Sequence, residues 1–139
     1  MDWKDCLKNR IVKDIKVDNY MIDSLIKSSN KRTNSQKRLK IDSETANSKI
    51  SLAYDALREL LEALAIKHSF KIYNHECYTY FLKEILKESQ KADEFDELRK
   101  IRNGLNYYAQ EVSLEEAKDI LIRLGKLREE ILELIGPIH

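Results

Sequence analysis

The segment Leu98 to Ala109, LRKIRNGLNYYA, holds the densest set of groups able to do chemistry. Arg99, Arg102, Asn103, Asn106 and Tyr107 recur at helical spacings of three and four, so they share one flank of a helix, beside its apolar stripe. A guanidinium held next to amides and a phenol suits recognition of a phosphate or of RNA, because arginine presents a two-pronged donor that stays charged. An arginine paired with a carboxylate across a helical bundle explains the same pattern equally well. Gly104 lies within this flank, where a glycine costs a helix about 1 kcal/mol relative to alanine. Close approach of a second helix is the simplest reason for it.

Outside that flank the chemistry thins. His75-Glu76-Cys77 is the best metal-like cluster, but consecutive helical residues point about 100° apart, and no HExxH or CxxC spacing completes a coordination shell. No metal and no cofactor are expected. His75 is a candidate proton-transfer group; its plainer and preferred role is a ring that hydrogen-bonds at a helix terminus or packs within the bundle. His68 and His139 have no partner nearby in sequence. The glycines form no phosphate-binding loop, and nothing marks a nucleophile elbow.

The elements that must position these groups follow from composition and spacing. A chain of 139 residues, 42% hydrophobic, makes one domain. Three Gly and one Pro leave too few tight turns for a sandwich, barrel or doubly wound sheet, so an all-α protein is expected: an up-and-down helical bundle of about five helices. Apolar periodicity predicts them near 18–30, 43–68, 74–86, 92–109 and 113–135. Ala46, Ile50, Ala53, Leu57, Leu60 and Leu64 make the second the centre of the bundle. Asn74 caps the third, the capping box SLEE at Ser113 to Glu116 starts the fifth, and Gly136-Pro137 ends it. Gly125, inside the fifth helix, is attributed to packing.

The formal charge of +1 conceals an excess of five positive charges over residues 1–49 and of four negative charges over 50–139. Lys27 to Lys40 carries six basic residues and no acid. This polar stretch reads as a basic linker, about 27–42, in preference to a nucleic-acid contact, because it lacks aromatics that stack on bases. Cys6 and Cys77 are expected to be small buried hydrophobes rather than a disulfide or metal pair. No apolar run approaches the ~20 residues of a membrane span, and the N-terminal decamer lacks a signal peptide's apolar centre, so no membrane contact and a cytoplasmic location are expected.

The pairing of AYDALRELLEALAIKHSFKIYNHECYTYFLKEI with LRKIRNGLNYYAQEVSLEEAKDILI, over about residues 45–135, resembles the HEPN superfamily, especially its small archaeal and bacterial members. The resemblance implies a helical bundle that dimerises, here with the two Arg102 flanks facing one another. It also implies a toxin–antitoxin or defence setting, with RNA, a nucleotide or a minimal nucleotidyltransferase as partner. Many such proteins are ribonucleases that use an arginine, a following polar residue and a histidine four to six residues beyond. Arg102 and Asn103 match the first two. Where the histidine belongs stand Tyr107, Tyr108 and Ala109, with Asn106 just before them. Tyrosine, with a pKa near ~10, is a poor base at pH 7. The expectation is therefore a HEPN-like domain that is non-catalytic or weakly catalytic, with Arg99, Arg102, Asn103, Asn106 and Tyr107 binding RNA or another ligand. One alternative is an active metal-independent endoribonuclease using Arg102, Asn103 and Tyr107 or His75. Another is a purely structural dimerisation module.

Overall fold

In the computed structural model, which describes residues 1–107 and 111–137, the chain is mostly helical. In order come α1 (Trp3–Lys8), β1 (Val12–Asp14), α2 (Asn19–Arg38), α3 (Ala46–Lys67), β2 (Phe70–Ile72), α4 (His75–Tyr80), α5 (Ser89–Tyr107) and α6 (Leu114–Ile135). Helix α4 runs on into a wide π turn over Phe81–Ile85. The five expected helices are present as α2 to α6. The N-terminal helix and the two strands are additions to the expected bundle.

Helix α3 is central, as its broad apolar pattern requires: Tyr54, Ala56, Leu57, Leu60, Leu61, Ala63 and Leu64 have no exposed surface. It packs against α2, α5 and α6. Asn74 accepts from the Glu76 N–H at 2.7 Å, starting α4. Ser113 and Glu116 form the expected reciprocal cap at the start of α6. Gly136, at φ +65°, ends that helix in a conformation glycine adopts without cost.

Four expectations are corrected. The basic stretch is not a linker through most of its length, because α2 continues to Arg38. Its inward face is polar rather than apolar. The Ser29 hydroxyl donates to the Ala56 carbonyl at 2.6 Å and accepts from Arg128 Nε at 3.0 Å. Arg32 pairs with the buried Glu59 at 2.8 Å. The buried Lys49 ammonium donates to the Gln36 and Leu39 carbonyls, closing the helix end with positive charge where the backbone dipole favours it. A search for apolar periodicity misses a helix docked this way.

Second, Cys6 and Cys77 are bonded as a disulfide across 71 residues, both fully buried, with Cα atoms 6.2 Å apart. They meet because α1 folds back onto α4: the Trp3 N–H donates to Glu84 at 2.8 Å, and the Trp3 ring packs edge-on to Phe70 at 5.2 Å. Third, the break at 69–74 contains a strand, since Val12, Lys13 and Asp14 pair antiparallel with Ile72, Lys71 and Phe70. Val12 and Ile72 turn into the core. Fourth, Gly125 answers no packing need within the chain, because a Cβ there would meet nothing within 4 Å.

Candidate functional site

Helix α5 lies along α3, and two links hold the flank that carries the arginines. Arg102 approaches Asp55 at 3.7 Å, and the Ser51 hydroxyl donates to the Asn106 side-chain oxygen at 3.2 Å. Gly104, which lies between these two links in sequence, is buried. Arg102 lies with its guanidinium carbon 5.1 Å from the centroid of the Tyr54 ring, a cation–π contact in a largely dry setting. The Tyr54 hydroxyl shares a 3.1 Å hydrogen bond with Nδ1 of His75, the first residue of α4. Three elements thus converge on one phenol.

Charge is concentrated here. Arg99 donates to Asp96 at 2.9 Å, Lys100 reaches the same carboxylate at 3.0 Å, and Arg58 stands 3.7 Å from Glu62. Arg58 thus pairs with Glu62, Arg102 with Asp55, and Arg99 and Lys100 together with Asp96. Nε of Arg99, shielded from solvent, has no hydrogen-bond acceptor among the described residues. That buried donor, beside three guanidiniums gathered near Tyr54, makes a setting that favours an anion.

The titrating groups respond accordingly. Burial, then Arg58 and Arg102, push His75 down to about 4, with Asp55 pulling the other way, so the ring is neutral at pH 7. Burial pushes the Tyr54 phenol well up, so its proton stays on despite the arginines beside it. Burial works against the Asp96 carboxylate, yet Arg99 and Lys100 hold it below its ordinary range. The imidazole is thus a weak base with no proton to give, and the phenol a hydrogen-bonding group only.

Of the predicted site residues, Arg99, Arg102 and Asn106 lie on the α3-facing flank, and Asn103 is half-buried between them. Tyr107 belongs to α5 by its backbone, but its side chain, like Tyr108, Ala109 and His139, lies outside the described residues. His75 hydrogen-bonds inside the bundle, and the bond places it in the same cluster as Arg102. Sequence reasoning missed Tyr54, Asp55 and Arg58. The available signal was Tyr54 and Arg58 at i and i+4 on an otherwise apolar helix, polar tips at the edge of the buried stripe.

A hollow of about 470 Å³ lies elsewhere, between the start of α5 and α6. In it Lys91 pairs with Glu88 at 2.9 Å and Arg123 with Glu94 through two hydrogen bonds, and Lys87, Lys126 and Glu130 complete its charged lining. Unlike the cluster around Tyr54, its described lining holds no aromatic or imidazole ring. No group of three or more potential metal ligands is gathered among the described residues. Comparison with models of known protein families and with curated proteins finds no match.

Proposed function

We propose that the chain is a HEPN-like module, non-catalytic or weakly catalytic, that binds RNA or a nucleotide through Arg58, Arg99 and Arg102 beside Tyr54 and His75. The observation that carries this reading is the convergence of α3, α4 and α5 on Tyr54, with the guanidiniums of Arg58, Arg99 and Arg102 gathered near its ring. A phosphate entering there gains charge-assisted hydrogen bonds from guanidiniums already held in place, Arg58 and Arg99 by carboxylates of their own helices and Arg102 by Asp55 and Tyr54 of α3. Asn103 and Asn106 on the same flank supply amides for a base or a ribose. The module acts as a homodimer or with a nucleotidyltransferase-type partner, in a toxin–antitoxin or defence setting.

A weak base without a proton to donate supports binding over strand cleavage. RNA cleavage through the 2′-hydroxyl needs one group to take a proton and one to return it near neutral pH. The endoribonuclease reading is favoured by one observation, the meeting of His75 and Arg102 at Tyr54. Incubating wild type and Arg102→Ala with single-stranded and structured RNA separates the two readings: the binding module leaves both RNAs intact, and a nuclease cleaves in an Arg102-dependent way. The structural reading draws on the Asp55 and Tyr54 contacts of Arg102, and requires Arg102→Ala to lose stability without affecting any ligand.

No helix among the described residues is long and apolar enough to cross a membrane. We place the protein in the cytoplasm. Disulfides persist mainly in oxidising compartments, but complete burial of both sulfurs shields this one from soluble thiols.

A further inference from the structure

Helix α6 carries a glycine that its own chain does not require. Gly125 weakens the helix, yet a Cβ there would meet nothing within 4 Å. The space beside it belongs to a hollow of about 230 Å³ between α6 and α2, lined by Ala53, Leu121, Leu124, Thr33 and Arg128. Three residues before it Ile122 stands 68% exposed, the most exposed of the large aliphatic side chains among the described residues. Lys118, Ile122, Gly125 and Glu129 follow steps of four, three and four, so they line one face, and all four are exposed. An outward knob and an outward hole thus lie side by side, with a cation at one end of the stripe and an anion at the other.

We propose that this face docks a second copy of the chain through antiparallel pairing of the two α6 helices, about a two-fold axis passing between Arg123 and Leu124. In that pairing each residue faces the one equally far beyond the axis. Ile122 enters the hollow over the second copy's Gly125, and the reciprocal contact forms by symmetry. Lys118 meets the second copy's Glu129, again twice. The same face paired in parallel register sets Lys118 against Lys118 and Glu129 against Glu129, so charge selects the antiparallel form. Arg128, held inward by Ser29 and Asn30, keeps Glu129 at the rim through a 3.0 Å ion pair, leaving that carboxylate 66% exposed. The apolar centre is small, so the dimer is expected to be reversible. This interface uses α6 and not the α5 flank, and it stands or falls independently of what the arginines bind.

Sedimentation of the full chain across the micromolar range tests the proposal. Wild type should show a reversible monomer–dimer equilibrium. Ile122→Glu and Gly125→Leu should each weaken it at least tenfold without lowering the melting temperature, because the first residue is exposed and the second has room. Lys118→Glu should weaken association, and adding Glu129→Lys should restore it, while Arg102→Ala should leave it unchanged. A monomer throughout, or an Ile122→Glu variant that associates like wild type, overturns the proposal. Failure of the charge swap to restore association overturns the antiparallel register.

Discussion

His75 and Arg102 are 27 positions apart in the sequence and meet at Tyr54, one at its hydroxyl and the other over its ring. The arginine was legible from its place beside Asn103 and Asn106 on one helical flank. Tyr54 was not, because in a helix as buried as α3 a tyrosine reads as one more apolar residue until a partner for its hydroxyl is known. The imidazole gives a pH signature. His75 titrates near 4 in the fold and near 6.5 when unfolded, so between those values the unfolded chain binds more protons and acid favours unfolding. Its contribution to stability is complete above about pH 6.5 and is lost as the pH falls towards 4. His68, pushed down by burial and then by Lys67, acts in the same direction. We expect the melting temperature to fall over this window, the slope to be reduced in His75→Gln, and the His75 ring protons to titrate near pH 4 by NMR. A ring titrating near 6.5 would remove the reason for treating it as neutral and desolvated.

At the level of elements, the helices carried by apolar stripes were readable and the helix carried by polar contacts was not. Helices α3 and α6 announce themselves through spacing and a capping box, whereas the second half of α2 buries Ser29 and docks Arg32 on Glu59. Those partners lie on other elements, so nothing local in the sequence marks the stretch as helical. The buried ammonium of Lys49 holds the α2 end by donating to the Gln36 and Leu39 carbonyls. Lys49→Met keeps the aliphatic stem and removes those donors, and should cost about 1–3 kcal/mol through the stranded carbonyls. Hydrogen exchange should then accelerate over residues 36–40 and remain unchanged in the centre of α3. Uniform acceleration over the chain would mean that Lys49 stabilises the whole fold and not this terminus.

For the whole molecule, the disulfide closes the longest loop, tying α1 to the start of α4, two residues beyond His75. Two cysteines 71 residues apart carry no sign of proximity, and only the fold-back of α1 through Trp3 brings them together. Loop closure of that length restricts the unfolded chain by about 4 kcal/mol in the chain-entropy account. Denaturant unfolding of Cys6→Ser/Cys77→Ser beside wild type should show a loss of that order, with the helical circular dichroism of the folded state retained. Loss of the folded state altogether would make the cross-link a condition of folding. Fluorescence anisotropy of a labelled single-stranded RNA measures binding by the arginine cluster. Wild type should bind, with affinity falling as salt rises. Arg102→Ala should lose at least tenfold in affinity while still melting cooperatively, in line with about 1.5–3 kcal/mol for hydrogen bonds to a charged group. No binding by wild type, or equal binding by the folded variant, would contradict the account.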